Sequence, residues 1–378
     1  MKRALERIEI PGEPDARERT WRVAEAAFAD RQPAPRRSRR TLAVACSVVV
    51  AGSVAVAAFS SPGHALLRSI RETVGVRASQ PALFSLPAAG QLLVHSDSGI
   101  WVVQADGSKR RLGAYASASW SPHGLYVAAT RRNSLYALTP DGEERWSLAR
   151  SSVRFPRWTG SRTDTRIAYV KGSRLRLVAG DGAGDHNGCA VKVAAVAPAW
   201  QPGRDGVLAL VESSGAVLVY RVDSCTLLWR ARAGGRPTKL EWSTDGRFLL
   251  AFARYGLRVF DARGRVVAQD DPSDATWDTD ATFLPGTDEV AVVRVHGAQS
   301  DVFLLRSRTP RTLFHVAGAL GQLVVSPDGR WLIVAWPDAD QWVFLRIRGA
   351  RSVRAVANVS AQFRSQSIPR IEGWCCAP

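Results

Sequence analysis

One phrase returns six times along the chain, and its spacing restricts the fold more than any other feature. An apolar stretch ends at a tryptophan or a substitute for it, a turn rich in proline, glycine and aspartate follows, and a second apolar stretch comes next. A period near 42 residues is typical of proteins built from repeated structural units. The repeat positions are Trp120, Trp158, Trp200, Trp242, Phe283 and Val325, at intervals of 38, 42, 42, 41 and 42 residues.

Each repeat unit carries the signals of four short antiparallel strands. After the second apolar strand come a polar gap, a third strand, a turn such as TPDGE at Thr139–Glu143, and a fourth strand. Four such strands in about 42 residues predict one blade of a β-propeller. We expect the recurring aromatic residue to pack between neighbouring blades, where a large ring fills the wedge.

The two ends of the repeat region complement each other. The stretch Gly90–Leu112 has a second, third and fourth strand but no first, whereas Ile368–Trp374 supplies a first strand alone. Together they would form a shared closing blade, which removes exposed strand edges. The sequence therefore predicts an all-β, seven-bladed β-propeller over residues 90–376, with six blades as the alternative if the last strand does not pair.

The WSPHG-like turns and the phrase IWVVQADGSKRRL resemble the TolB-type and WD-like propeller repeats of bacterial envelope proteins. The resemblance covers roughly Gly90–Trp374, and it implies a propeller but no particular function. The separate N-terminal domain of TolB has no counterpart here. The overall layout is similar to that of single-pass membrane proteins of the actinobacterial type with an outward propeller.

A run of nineteen residues without a charge, Thr41–Phe59, stands before the repeats. At 1.5 Å per residue a helix of this length reaches about 28 Å, close to the thickness of the bilayer hydrocarbon. The basic cluster RRSRR at Arg36–Arg40 precedes it, so the positive-inside rule predicts a cytoplasmic N-terminus and a propeller outside the cell membrane. The alternative to an uncleaved anchor is a cleaved twin-arginine export signal at Ser38–Leu42.

Short helices are predicted on both sides of this anchor. Residues 1–40 contain a capping-box helix on which Trp21, Ala24 and Phe28 share one apolar face. That face is a candidate for binding a cytoplasmic partner, and a helix lying on the inner membrane surface is the alternative. Residues 60–80 read as a juxtamembrane spacer helix.

The formal net charge of +17 does not indicate a nucleic-acid partner. Only five of the 51 basic residues are lysine, and the basic residues are scattered along the chain. A nucleic-acid footprint gathers such residues on one face or stripe. We therefore expect no nucleic-acid partner. The positive net charge is interpreted instead as attraction to anionic lipid headgroups or wall polymers.

The cysteines offer one candidate disulfide. Cys189 opens a predicted fourth strand and Cys225 lies in the last turn of the next unit, so both could lie on one rim of adjacent blades. A disulfide would persist outside the membrane, although outer strands of neighbouring blades could be too far apart for it. Cys375 and Cys376 follow the closing strand, and we expect free thiols or pairing with another chain because a vicinal bridge is strained.

The sequence contains no motif for catalysis or metal binding. No pair among the six histidines has metal-ligand spacing, and neither a Cys-x-x-Cys nor a nucleophile elbow is present. The loop at Gly180–Gly188 lacks the ligand spacing of a calcium loop, which favours a hairpin turn. We therefore expect no catalytic residue, no cofactor and no metal.

These patterns predict a non-catalytic, membrane-anchored propeller that serves as a scaffold for an unknown protein or cell-envelope ligand. One alternative is an envelope enzyme with a propeller active site for a carbohydrate- or quinone-linked substrate, which clustered acids at the channel mouth would support. Another is a transmembrane signalling subunit acting through the cytoplasmic helix.

Overall fold

A computed structural model describes residues 85–159, 161, 164–273, 275–305 and 311–376. The predicted cytoplasmic helix, membrane segment and spacer helix lie outside these residues. Within the described ranges, no helix is both long and apolar enough to cross a bilayer.

The described residues form 28 strands, which pair into seven antiparallel sheets of four strands each. We call each sheet a blade and number the first six in chain order. The chain opens with β1 (Gln91–Ser96), β2 (Gly99–Val103) and β3 (Lys109–Gly113). Blade 1 contains β4 (Ser117–Trp120), β5 (Val127–Arg131), β6 (Ser134–Leu138) and β7 (Glu144–Ala149). Blade 2 contains β8 (Val153–Trp158), β9 (Ile167–Lys171), β10 (Arg174–Val178) and β11 (His186–Lys192).

The next four blades repeat this order. Blade 3 contains β12 (Ala199–Trp200), β13 (Val207–Val211), β14 (Val217–Arg221) and β15 (Thr226–Ala231). Blade 4 contains β16 (Lys239–Trp242), β17 (Phe248–Ala253), β18 (Gly256–Asp261) and β19 (Val266–Asp270). Blade 5 contains β20 (Thr276–Phe283), β21 (Val290–His296), β22 (Gln299–Leu305) and β23 (Arg311–Ala317). Blade 6 contains β24 (Leu323–Val325), β25 (Trp331–Trp336), β26 (Gln341–Arg346) and β27 (Val353–Ala357).

The two ends of the described chain build blade 7 together. A short helix, α1 (Val359–Gln362), leads into β28 (Arg370–Cys375), which pairs with β1. In this pairing Trp374 lies opposite Leu92, and Ile371 lies opposite Val94. The ring is thereby closed by strand pairing between distant parts of the sequence. The prediction of seven blades is confirmed, and the six-blade alternative is wrong because the last strand does pair.

The recurring turn after the first strand owes its sequence to local hydrogen bonding. In blade 6 the Ser326 hydroxyl accepts a hydrogen bond from the Trp331 amide at 2.9 Å and donates one to the Asp328 carboxylate at 2.5 Å. Gly329 follows with φ at +64°, a conformation that glycine adopts without strain. Serine, aspartate and glycine at these three positions therefore make the tight turn that joins the first two strands.

The hydrophobic core is divided among the seven blade interfaces. Seven clusters of buried apolar side chains are present in the described chain, and each combines residues of two neighbouring blades. Strands β2, β13 and β25 are buried at every position, because both faces of their sheets are covered. A blade therefore has no complete core of its own.

The repeat-defining side chains lie at these interfaces. Trp200 packs in the cluster between blades 2 and 3, and Trp242 in the cluster between blades 3 and 4. Their indole Nε1 atoms donate to backbone oxygens of the preceding blade, Trp200 to Arg157 at 3.0 Å and Trp242 to Ala199 at 3.1 Å. The remaining repeat positions also contact interface clusters, and they are Trp120, Trp158, Phe283 and Val325.

We expect Trp242→Ala to lower the free energy of unfolding by about 3–5 kcal/mol, because it removes a large buried ring from an interface. The control is Trp277→Ala. Trp277 lies outside the seven clusters, and its ring faces the Arg254 guanidinium at 5.2 Å, so its loss should cost about 1 kcal/mol. Urea unfolding of the full-length variants measures both changes, and equal losses would contradict the interface role.

Candidate functional site

The first strands of the blades line a central channel with a cavity of about 570 Å³. Every blade contributes to its wall, which combines apolar side chains with three cations and three carboxylates. The charged lining residues are Arg157, Lys239, Glu241, Asp280, Arg370 and Glu372.

Lys239 is the centre of a charged group in this channel. Its Nζ atom lies 3.1 Å from Asp280 Oδ1 and 3.2 Å from Glu241 Oε2. Burial lowers the pKa of Lys239, but the two carboxylates outweigh burial and hold this pKa above its usual value. The side chain therefore stays protonated and joins β16 of blade 4 to β20 of blade 5.

The channel carboxylates also bind backbone groups of neighbouring blades. Asp280 accepts a hydrogen bond from the Leu323 amide of blade 6 at 2.9 Å, and Glu241 accepts one from the Phe283 amide of blade 5 at 3.0 Å. Glu372 accepts a hydrogen bond from Arg370 Nε at 2.9 Å. Asp280 and Glu241 thus hold neighbouring blades together, whereas the bond between Arg370 and Glu372 lies within β28.

Arg157 differs from the other channel cations. Among the described residues, no carboxylate lies within ion-pair distance of its guanidinium, which donates to the Pro156 carbonyl oxygen at 3.0 Å. Burial lowers the pKa of Arg157, Glu372 opposes this shift, and Arg370 adds to it. The channel is therefore most cationic beside blade 2.

A second cavity, which we call the rim pocket, lies between blades 1 and 2 and has a volume of about 660 Å³. Three aromatic rings line it. Those of Tyr126 and Trp158 stack with centroids 6.2 Å apart, while Trp146 donates from Nε1 to the Gly180 oxygen at 2.8 Å. Leu125 stands at its edge with 63% of its surface exposed. The rim pocket therefore offers open aromatic and aliphatic surface on the outside of the ring.

Polar groups are interspersed with these rings. The pocket lining also includes His123, Arg145, Asp164 and Asp181. The Asp164 carboxylate accepts from Arg166 at 2.6 Å. Burial raises the pKa of Asp164, but the Arg166 hydrogen bonds outweigh it and leave the pKa below its usual value. The pocket can thus offer a ligand both an apolar contact surface and charged groups of either sign.

The turn of blade 1 that borders the rim pocket differs in sequence from the matching turns of blades 4 and 6. In blades 4 and 6 the turn continues with an aspartate and an arginine that pair across it, as Asp245 does with Arg247. Blade 1 has His123 and Leu125 at these two positions. The sequence analysis missed the pocket, although the phrase HGL in place of DGR is a signal that could have found it.

The loop at Gly180–Gly188 is the hairpin connection between β10 and β11, as its glycine content suggested. The Asp185 carboxylate accepts hydrogen bonds from Arg150 at 2.7 Å, Arg176 at 2.7 Å and Tyr169 at 2.6 Å. Two guanidinium groups thus occupy the Asp185 oxygens, which a calcium site in this loop would need. Since Arg150 follows blade 1 and Asp185 precedes β11, the ion pair also ties blade 1 to blade 2.

The cysteines pair within the chain. Cys189 of blade 2 and Cys225 of blade 3 form a disulfide with their Cα atoms 5.2 Å apart, so these outer strands approach closely enough. Cys375 and Cys376 are also joined to each other. The expectation of free thiols or of pairing with another chain was wrong here, because the turn after β28, with Cys376 at φ +99°, brings the two sulfur atoms together.

The structure also gathers side chains that the sequence leaves far apart. His296, Asp301 and His315 come together on the outer strands of blade 5, although no pair of them has the spacing of a metal motif. The predicted partner-binding residues Trp21, Ala24 and Phe28 lie outside the described residues, and their role stays a prediction.

No family model and no curated protein matches the sequence. Solved structures do match the fold. The C-terminal WD40 domain of Sif2 matches with a TM-score of 0.55 and 15% identity over 72% of this chain and 84% of that chain. KlHsv2 with loop 6CD replaced by a Gly-Ser linker matches with a TM-score of 0.53 and 13% identity over 70% of this chain and 93% of that chain.

The β-propeller domain of Myceliophteria thermophila Cps50 (Swd1) matches with a TM-score of 0.50 and 13% identity, over 66% of this chain and 87% of that chain. At such identities the similarity concerns the fold alone. The chain has the fold of a WD40-type β-propeller with seven blades.

Asp185→Asn should lower the free energy of unfolding at pH 7 by about 1–3 kcal/mol, because it leaves the partly exposed guanidinium groups of Arg150 and Arg176 without their carboxylate. Burial raises the pKa of Asp185, but Arg176, Tyr169 and Arg150 outweigh it and hold the pKa below its usual value. A carboxyl group whose pKa is lower in the folded than in the unfolded protein stabilises the folded state at pH values above its unfolded pKa of about 3.9. This stabilisation is lost as the pH falls through the pKa of the folded state.

Urea unfolding of parent and variant between pH 7 and pH 3 tests this expectation. The difference in the free energy of unfolding between the parent and Asp185→Asn should become smaller as the pH falls. The matched control is Asp181→Asn in the same loop, where the exposed carboxylate accepts only a backbone hydrogen bond from Ala183. A gap that stays constant with pH would show that the Asp185 charge does not matter.

Proposed function

We propose that this chain is a non-catalytic interaction scaffold of the TolB-type group, anchored in the cell membrane, whose propeller presents a rigid binding surface outside the cell. The observation that carries the binding role is the rim pocket. In blade 1 the turn carries His123 and Leu125 where blades 4 and 6 carry an Asp–Arg pair, and the exposed Leu125 stands beside three aromatic rings. Aromatic and aliphatic surface on a rigid frame is what a protein partner buries at the centre of an interface.

The membrane part of the proposal rests on the apolar run Thr41–Phe59 and the basic cluster before it. The disulfide between Cys189 and Cys225 supports an outward propeller, because disulfides persist in oxidising compartments and are rare in the cytosol.

The alternative of an envelope enzyme receives less support from the channel. Its three acids, Glu241, Asp280 and Glu372, bond to neighbouring cations and backbone amides. Such groups serve the ring rather than a substrate. The alternative of a signalling subunit depends on Trp21, Ala24 and Phe28, and it is compatible with a scaffold outside the membrane.

Protease treatment of intact cells, with a tag at each end of the chain, tests the topology. We expect a full-length protein whose C-terminal tag is digested from outside and whose N-terminal tag is protected. A mature chain shortened by about sixty residues would mean a released protein. A protected C-terminal tag would contradict the outward propeller.

A photo-crosslinking residue placed at Leu125 tests the rim pocket. The matched control is the same residue at Tyr255, which is equally exposed at 63% but lies on blade 4. On intact cells we expect a protein adduct from position 125 and none from position 255. Equal adducts from both positions, or none from either, would contradict the rim pocket as the binding surface.

A further inference from the structure

Three side chains with metal-binding atoms meet on the outer strands of blade 5. His296 ends β21, Asp301 lies in β22 and His315 lies in β23. In the strand register Asp301 is directly opposite His315, while His296 is opposite Gln299. Because side chains two residues apart on a strand point to the same face, all three residues stand on one face of the sheet.

The side chains converge around the Asp301 carboxylate. His296 Nε2 lies 2.8 Å from Asp301 Oδ2, and His315 Nδ1 lies 2.6 Å from Asp301 Oδ1. The two imidazole rings are stacked, with centroids 6.0 Å apart and an interplanar angle of 22°. One nitrogen from each ring and one carboxylate oxygen all lie within 4.8 Å of one another.

We propose that His296, Asp301 and His315 form a binding site for a divalent transition-metal ion, for which zinc has the best match of ligands. Two imidazole nitrogens and one carboxylate oxygen are a donor set that zinc uses, whereas calcium and magnesium prefer oxygen ligands alone. In tetrahedral zinc sites bonds of about 2.0–2.1 Å separate the donor atoms by roughly 3.3 Å. The present donor atoms are separated by 2.6 to 4.8 Å, so each pair would have to move by about 1.5 Å at most to reach that separation.

The surroundings of the cluster permit an ion to enter. The exposed fractions of the three side chains are 33% for His296, 29% for Asp301 and 51% for His315. Arg294, the cation opposite Asp301, is bound by Asp278 at 2.8 Å and by Asp270 at 2.7 Å. Two carboxylates thus offset the positive charge of Arg294.

Metal binding would replace hydrogen bonds that the cluster makes on its own. In the metal-free state each imidazole faces Asp301 with an N–H group. In the metal-bound state the same nitrogen donates its lone pair to the ion, and its proton moves to the other ring nitrogen or to solvent. Three protein ligands leave the fourth position of a tetrahedral ion for water or for a group of a binding partner. The ion would also clamp three strands of one blade.

The test uses the full-length chain without a histidine tag, purified in detergent and stripped with EDTA. Zinc is titrated in competition with a chromophoric chelator of known affinity, and cobalt is added as a spectroscopic substitute. We expect the parent to bind zinc in competition with the chelator and His315→Ala and Asp301→Asn to weaken this binding at least tenfold. The matched control is His186→Ala, which removes an exposed histidine of blade 2 that contacts only the Gly184 oxygen.

Thermal unfolding separates loss of the site from loss of the fold. In EDTA the variants should unfold at the temperature of the parent, whereas zinc should raise the midpoint of the parent and the His186→Ala control alone. Should His315→Ala unfold early in EDTA, His315→Gln replaces it, since it keeps the bulk of the side chain. Absence of zinc binding by the parent, or binding that the Asp301 and His315 variants leave within twofold, would overturn the proposal.

Discussion

The structure depends on one constraint: each blade has two apolar faces, and only neighbouring blades can cover them. Strands such as β13 and β25 are buried at every position, and each hydrophobic cluster draws on two blades. An open row of blades would leave two such faces in water. Pairing of β28 with β1 ties the ends of the row together, so the core is complete only when the ring closes.

Hydrogen bonds and ion pairs also connect neighbouring blades across these interfaces. The Nε1 atoms of Trp200 and Trp242 donate to backbone oxygens of the preceding blade, and the carboxylates of Asp280 and Glu241 accept hydrogen bonds from amides of the following blade. These groups are partly or fully buried, where an unpaired donor or charge is costly. A frame held in this way can carry different turn residues from blade to blade, and the rim pocket lies beside a turn of blade 1 that lacks the Asp–Arg pair of blades 4 and 6.

Much of the fold could be predicted from the sequence, whereas little of the candidate site could. Trp200 and Trp242 mark the blades because one packing environment recurs at a fixed period, and the Ser-Pro-Asp-Gly turn is recognisable because its hydrogen bonds are local. The rim pocket combines residues around Leu125 with Trp158 and Gly180, which belong to different blades. Their proximity depends on how one sheet packs on the next, and no spacing along the chain expresses it.

The sequence by itself determined the repeat, the four strands of each unit and the strand that could close the ring, because these follow from local hydrophobic patterning and turn chemistry, whereas the pairing of that strand decided between six and seven blades. Only the tertiary structure decided that Cys189 meets Cys225, that two arginines bind Asp185, and that His296, Asp301 and His315 share one face. The physical reasons are strand register, which places the three blade 5 residues on one face, and packing between blades, which brings the cysteines and the Arg150–Asp185 pair together. They bring together side chains that are 5 to 36 residues apart in the chain, and they depend on contacts across the whole sheet and with its neighbours.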